Sequence, residues 1–412
     1  MKVAILTLGC KVNQAESAFI ARRLSNRGVA VVELSEQPDY CVVNTCTVTA
    51  KSDYQSRQLI RRAVRTGAKV IVTGCYSQVS PEEVRRIEGV FYILPNVNKY
   101  NSIDIIGDVT SSNTLMLSGR SRSYVKVQDG CNNACSYCIV PKARGTSRSA
   151  DIASILKEIS ELESEGYQEI VLTGIHLGAF GHDLQPQSGL AVLLRSILDR
   201  TGIPRIRLSS LEVNEVTPEL IELLREPRIC RHVHIPLQSG DDSILRLMRR
   251  KYKVADYVCV IERIVSKVPG IAVGTDIVVG FPGEGDLEFS HPRQTVESLP
   301  LAYIHIFPFS ARPGTVAAGM SRQNAIPVKK GRYAVLNAMN VRKKQEYLSS
   351  QLGKIIDIVI EERCSDGTLR GTSSNYLKVK TTSDGHRKGS LIYVGVSGMQ
   401  GGVLTGDAID KP

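Results

Sequence analysis

The chain has 412 residues, is 42% hydrophobic and carries a formal net charge of +11, a soluble balance with room for roughly two to three domains. No apolar run approaches bilayer length, and the opening MKVAILTLGC is too short an apolar stretch for a signal peptide. No membrane-spanning helix is therefore predicted, and a cytosolic protein is expected. Ten cysteines in that compartment suggest metal ligands rather than disulfides.

Residues 1–95 alternate short apolar runs with amphipathic segments. Strands are predicted at Val3–Leu8, Val29–Leu34, Tyr40–Asn44, Val70–Thr73 and Val90–Leu94, with helices near Ala15–Asn26, Ser52–Thr66 and Pro81–Ile87. This alternation predicts a doubly wound parallel sheet. Cys10, Cys46 and Cys75 each follow one of its strands, at the edge where open α/β sheets bind ligands. Three thiols converging there make a three-ligand cluster site, although each taken singly also reads as a small buried residue. Cys41, Cys230, Cys259 and Cys364 share no spacing and read as core.

Residues 96–120 are polar and read as a linker. The stretch that follows, Asp129–Gly145, holds Cys131, Cys135 and Cys138 in a C-x3-C-x2-C pattern. Three thiolates hold three corners of a cubane cluster and leave one iron open to a small chelating cofactor, whereas a full set of four closes it. Zinc competes, but structural zinc closes four ligands and no second C-x2-C or H-x3-H lies nearby.

Six further strands are predicted at Tyr124–Val127, Glu169–Thr173, Arg205–Ser209, His232–Pro236, Ile271–Val279 and Tyr303–Phe307, separated by helical patterns. Six βα units predict a partial parallel barrel whose site lies at the carboxyl strand ends. Those ends read Thr173-Gly-Ile-His-Leu-Gly178, Ser209-Ser-Leu-Glu212, Pro236-Leu-Gln-Ser-Gly240 and Gly280-Phe-Pro-Gly-Glu284. Gly174, Gly178 and Gly240 would let backbone approach a ligand, while Glu212 and Gln238 offer hydrogen bonds. His176 reaches the same mouth or serves as a structural hydrogen-bonding histidine, and His305 reads as core. Met339–Lys344 is expected to close the last helix before the C-terminal part.

From about 340, short strands separated by Gly, Ser and Asp predict a small all-β barrel of OB-like size. Residues 321–412 hold 15 Lys+Arg against 8 Asp+Glu, so seven of the eleven excess charges fall in the last quarter. Lys378 and Lys380 alternate with Leu377 and Val379, which predicts one basic strand face. A polyanionic partner, nucleic acid first, or a solvated basic surface fits this bias.

The combination resembles the methylthiotransferase family of radical S-adenosylmethionine enzymes over nearly the whole chain. The matching stretches are Thr7–Gln14 (TLGCKVNQ), Asn44–Val48, Thr73–Cys75, Asp129–Gly145, His234–Gly240, Thr275–Glu284 and Phe307–Thr315. GCKVNQ looks like the branch acting on N6-threonylcarbamoyladenosine beside the tRNA anticodon. The resemblance implies a methylthiotransferase N-terminal domain (1–112), a radical SAM core (117–347) and a TRAM RNA-binding domain (349–412). It implies two [4Fe-4S] clusters, one on Cys131, Cys135 and Cys138 and an auxiliary one on Cys10, Cys46 and Cys75. Two molecules of S-adenosylmethionine would serve each turnover, one cleaved to a 5′-deoxyadenosyl radical and one methylating the sulfur. Tyr137, Thr173, Gly174, Glu212 and Gln238 would line its site. Asp276, the candidate catalytic group, and Arg144 would stand at the mouth. Arg144, Lys378 and Lys380 would meet the tRNA anticodon stem-loop, with separate electron and sulfur donors as further partners. The alternatives are isopentenyladenosine tRNA or a ribosomal protein side chain as substrate, or a non-enzymatic iron–sulfur RNA-binding module. The chain departs from the family's pattern in Glu212-Val-Asn-Glu215 and in residues 285–295, where Pro292 is expected to break a helix.

Overall fold

The computed structural model describes residues 1–107, 121–382 and 385–411; the domain boundary expected at 112–117 lies outside them. In the N-terminal unit, β1 (Lys2–Thr7), β2 (Ala30–Val31), β3 (Tyr40–Thr45), β4 (Lys69–Gly74) and β5 (Val90–Ile93) form one parallel sheet, ordered β2-β1-β3-β4-β5. It is covered by α1 (Lys11–Asn26), α2 (Ala50–Val64), α3 (Cys75–Val79) and α4 (Pro81–Arg85). Side chains alternate between two apolar layers, as a sheet covered on both faces requires. Val42 and Ile71 pack with Ile20 and Leu24 of α1, while Cys41, Val43 and Val70 pack with Ile60 and Ala63 of α2.

The segment expected as a linker is structured as far as residue 107. There α5 (Asn101–Ile106) inserts Ile103 and Ile106 into the layer beneath α1. Two apolar residues three apart are enough to dock one helical turn, and the polar residues around them hid the pattern.

The central unit begins with β6 (Ser123–Lys126) and the two-residue strand β7 (Gln128–Asp129), then α6 (Val140–Arg144) and β8 (Arg148–Ser149). The βα alternation follows as α7 (Ile152–Ser164), β9 (Glu169–Thr173), α8 (Leu190–Arg200), β10 (Arg205–Leu208), α9 (Pro218–Leu223) and β11 (His232–His234). It continues with α10 (Asp242–Leu247), α11 (Val254–Lys267), β12 (Ala272–Val279), α12 (Asp286–Ser298), β13 (Tyr303–Pro308) and α13 (Ile326–Ser349). Two parallel three-stranded sheets, β10-β9-β6 and β11-β12-β13, meet edge to edge. There Leu211 N–H donates to the His234 carbonyl at 2.9 Å and Ile206 bridges Ile229, giving a six-stranded partial barrel. Outward-facing Ile170, Leu172, Ile206, Val233 and Ile277 pack under the helices, which leaves the inward face of every strand to line a lumen.

Two helix expectations are corrected. Pro292 does not break α12, which runs on to Ser298 with the proline buried inside it. The helix rests there against Gly240, whose lack of a Cβ leaves room for the Pro292 backbone. Nor does Met339–Lys344 end α13, which continues to Ser349 because Leu348 packs into the core of the C-terminal barrel. That barrel, β14 (Ile355–Arg363), β15 (Leu369–Ser373), β16 (Lys378–Thr381), β17 (Leu391–Gln400) and β18 (Val403–Ile409), is closed in the order β14-β15-β16-β18-β17. No helix among the described residues is long and apolar enough to cross a membrane.

Candidate active site

The C-x3-C-x2-C loop leaves β7 and is pinned at both ends. Gly130 has φ +72°, and a Cβ there would collide with the Thr146 carbonyl, so the two limbs of the loop lie against each other. Cys131 N–H donates to the Gly145 carbonyl at 3.1 Å. Mid-loop, Ser136 donates through its N–H to Met248 at 3.1 Å and through Oγ to Leu247 at 2.7 Å, which ties the loop to the end of α10. Buried Gln128 organises its base, with Nε2 donating to the Gly130 carbonyl at 2.8 Å and Oε1 accepting from His176 N–H at 2.8 Å.

Beside this loop lies a cavity of about 420 Å³, lined among others by Asn133, Cys135, His176, Glu212, Glu215 and Arg250. Arg250 donates to Cys135 Sγ at 3.3 Å and is ion-paired with Glu212. His176 sits 3.7 Å from Cys131 Sγ and is ion-paired with Glu215. Burial opposes the His176 charge, but its bonds to Cys131 and Glu215 raise it to about 10. Burial pushes the Cys135 thiol up, with Arg250 pulling it back, and takes Cys138 to about 12. Thiols held this high surrender their protons to a metal rather than to water. Among the described residues no fourth cysteine joins this loop: Cys41 is enclosed in the apolar core of the N-terminal sheet, Cys230 is buried beside Arg207, Arg205 and Glu169, Cys259 is on the exterior of α11, and Cys364 is in the C-terminal barrel. The donor set fits a cluster with one open iron, and the polar cavity beside it fits a chelating ligand.

Cys10, Cys46 and Cys75 come together at the carboxyl edge of the N-terminal sheet. Gly9, at φ +114°, lies so close that a Cβ would be 3.0 Å from Cys46 Sγ. Gly74, at φ +100°, abuts the Thr45 backbone and turns the chain so that Cys75 opens α3. Burial raises the Cys46 and Cys75 thiols; Cys10 raises both further, while Arg144 pulls Cys75 back. Cys46 and Cys75 are 7% and 6% exposed, whereas Cys10 is open to solvent. This trio fits a second three-ligand cluster.

Helix α6 ties the two thiol sets together. Asn96 donates from Nδ2 to the α6 carbonyl of Ala143 at 2.8 Å and lies 3.8 Å from Cys75 Sγ. Arg144, only 2% exposed, donates to Asn13, to Glu16 at 3.0 Å and to Asp129 at 2.8 Å. It therefore stands inside the junction of the two units and does not meet RNA at the mouth. A second clamp joins Arg312, after β13, to Asp53 and to Thr47 Oγ1 at 3.0 Å, one residue beyond Cys46.

Of the residues expected to line the cofactor cavity, Glu212 does so. Thr173 is buried, with its hydroxyl donating to the Val125 carbonyl at 3.2 Å. The space at Gly174 is taken by Gln128, at Gly178 by Glu215 and at Gly240 by the backbone of α12, so these glycines admit protein rather than ligand. Gln238, at φ +64°, ties β11 to β12 by donating its N–H to the Asp276 carbonyl at 2.8 Å. Tyr137 packs edge-on against Phe281, 6.3 Å between ring centroids, in a small apolar cluster. Asp276 faces the lumen, where Oδ1 accepts from His234 Nε2 at 2.9 Å and lies 3.3 Å from His305 Nδ1. Burial alone would raise its carboxyl, but the two histidines hold it at about 2. His305 is not core; its side chain is 55% exposed. The expected basic face of β16 is internally neutralised: Lys378 pairs with Glu361, and Lys380 with Asp366 at 2.7 Å. Gln128, Asn133, Glu215 and Arg250 escaped the sequence reading. Only the run Arg249-Arg250-Lys251, at the end of the helical pattern predicted over Ser243–Arg250, offered a signal.

Residues 125–291 match the radical SAM superfamily, and residues 2–94 match the uncharacterized protein family UPF0004. A threonylcarbamoyladenosine tRNA methylthiotransferase MtaB of Bacillus subtilis strain 168 is 36% identical, over 93% of this chain and 91% of its own length. The Aquifex aeolicus strain VF5 protein of the same name is 35% identical, over 96% and 100%. In structure, the radical S-adenosylmethionine methyltransferase TsrM of Kitasatospora setae, with cobalamin and a [4Fe-4S] cluster bound, superposes with a TM-score of 0.57. The identity is 17% over 77% of each chain, a likeness of fold.

Proposed function

The chain belongs to the radical SAM methylthiotransferase family, and on that premise we propose that it adds a methylthio group to carbon 2 of N6-threonylcarbamoyladenosine in cytosolic tRNA. The observation that carries this reading is the pairing of two three-thiol sets through α6, with a polar cavity on one side and an open lumen on the other. S-adenosylmethionine and two [4Fe-4S] clusters are the cofactors of this chemistry, and when bound they supply the radical and sulfur reactions that no side chain can.

The chain's own residues bind and orient. Cys131, Cys135 and Cys138 would hold one cluster, and Cys10, Cys46 and Cys75 the other. Arg250 and Glu212 present a fixed cation and carboxylate beside Cys135, complementary to the carboxylate and amino group of an amino acid. Gln128 and Glu215 hold His176 against the same wall. The C-terminal barrel is the proposed grip on the anticodon stem-loop, with Lys378 and Lys380 exchanging their carboxylate partners for phosphate. A low-potential electron donor and a sulfur donor complete the scheme.

The test uses anaerobically reconstituted protein, an anticodon stem-loop bearing N6-threonylcarbamoyladenosine, S-adenosylmethionine and a reductant, with nucleosides read by mass spectrometry. A 2-methylthio product that disappears in Cys131→Ala and in Cys75→Ala is expected. Reconstituted protein with both clusters but no such product refutes the reading.

A further inference from the structure

The lumen wall carries a line of rings that cluster binding leaves unused. In the parallel register of β11, β12 and β13, His232, His234, Asp276, Tyr303, His305 and Phe307 all point inward. The line starts at Tyr376 of the C-terminal barrel, whose ring centroid is 4.5 Å from that of His232. Tyr303 bridges the two β11 histidines, with its hydroxyl 2.8 Å from His232 Nε2 and 3.0 Å from His234 Nδ1. Gly274 makes room for it, since a Cβ there would run into the Tyr303 ring. The rings continue from Tyr303 to His305 at 5.0 Å and on to Phe307 at 6.4 Å, where both outer rings are exposed.

At the Tyr376 end of this line stands Lys11, the first residue of α1 and the neighbour of Cys10. Its ammonium lies 5.6 Å from the Tyr376 ring centroid, among the charges of Arg207, Arg122, Glu169 and Asp276. The other groups there are already matched. Arg207 closes on Glu169 at 2.8 Å and on the carbonyls of Ser373 and Ser374, both at 2.9 Å. Arg205 is paired with Glu169 and Asp357, Arg122 with Glu361, and Asp276 with its two histidines. Among the described residues, no carboxylate lies within salt-bridge distance of Lys11. A largely enclosed ammonium without an anion is costly to hold, and a ligand that brings the anion removes the cost.

We propose that Lys11 and this ring line form a subsite for a planar base bearing a carboxylate arm, with the base against His305 and Phe307 and the carboxylate on the Lys11 ammonium. This inference rests on the substrate proposed above, because a threonylcarbamoyl arm ends in a carboxylate. A dimethylallyl arm ends in two methyl groups and would leave the ammonium desolvated and unpaired, so one residue serves both selection and rejection. Stacking on the rings is indifferent to which base is splayed out, whereas the ammonium is not. Lys11 is thus a substrate-binding residue remote from carbon 2. A backbone phosphate offers the same anionic chemistry, and the experiment separates the two sources.

The test compares the reconstituted holoenzyme on two anticodon stem-loops, one with N6-threonylcarbamoyladenosine and one with its carboxylate methyl ester. Affinity is read by fluorescence anisotropy and product by mass spectrometry. The acid is expected to bind about tenfold or more tightly than the ester, as loss of one charge-assisted contact implies. Lys11→Met should erase that difference by weakening the acid alone. Equal binding of acid and ester by the wild type overturns the subsite whatever the turnover. Equal weakening of both by Lys11→Met, at unchanged iron content, assigns Lys11 to phosphate and overturns it too. Should Lys11→Met lose iron, the wild-type comparison decides alone. Acid-selective binding without any methylthio product would refute the reaction and leave the subsite standing.

Discussion

Arg250 concentrates several demands at one side chain. It holds Glu212, donates to Cys135 and lies over the Tyr252 ring at 5.1 Å, all at the wall of the cavity beside the cysteine loop. Burial pushes the Glu212 carboxyl up, and Arg250 is the main force opposing that shift. Arg250→Met would leave Glu212 without its ion-pair partner and with only the more distant His176 as a cation. The expected cost is about 3 kcal/mol of stability, with weaker S-adenosylmethionine binding, checked by chemical denaturation and equilibrium dialysis. At this scale, the cysteines stand out in sequence, three by their C-x3-C-x2-C spacing and three by their place after predicted strands. Arg144 does not, because its partners Asn13 and Glu16 lie more than a hundred residues away and no local pattern announces them. The strand-end glycines misled for a related reason. A missing side chain is visible in sequence, but what fills its place is not.

Helices and strands were legible wherever burial imposes a period. The six inner strands and the five-stranded sheet follow from short apolar runs set between amphipathic helical patterns, the form that parallel strands under covering helices take in sequence. Propensity failed at α12, because tertiary contact overrode the local penalty of Pro292. The contact is steric and can be tested. Gly240→Ala places a methyl group against the Pro292 backbone, which cannot retreat as a flexible side chain would. The expected loss is about 1–3 kcal/mol, seen as a lower thermal midpoint; a midpoint unchanged from wild type would show that α12 yields freely. Helix α13 overran its expected end for the same kind of reason. Its final turn belongs to the core of the next unit rather than to its own amphipathic pattern.

At the scale of the whole molecule, buried ions mark where the N-terminal and central units join. Glu16 receives Lys99, Lys126 at 3.0 Å and Arg144 at 3.0 Å, drawing together α1, β6 and α6. Burial alone would raise the Glu16 carboxyl, but these three cations hold it well below its ordinary 4.5. A carboxyl depressed in the folded state contributes stability that is complete above 4.5 and is lost as pH falls through the folded value. Wild-type stability should therefore decline on acidification below 4.5. Glu16→Gln should lose about 3–5 kcal/mol at neutral pH and show a shallower decline, measured by urea midpoints across that range. An equally steep decline in the variant would place the acid sensitivity elsewhere. None of this junction was readable beforehand, because pairing over such separations depends on the fold that it helps to close.

The uneven exposure of the auxiliary thiols bears on maintenance rather than catalysis. Cys46 and Cys75 are walled in, and Cys10 is the trio's contact with solvent. In metal-free protein, iodoacetamide should mark Cys10 well before the other two, a labelling order that peptide mass spectrometry reads directly. Whatever delivers iron to this site, or damages it, arrives past Cys10. A nucleoside seated against Lys11 would lie across that same entrance. Substrate bound there would then shield Cys10, and iodoacetamide labelling of Cys10 should slow when the anticodon stem-loop is present.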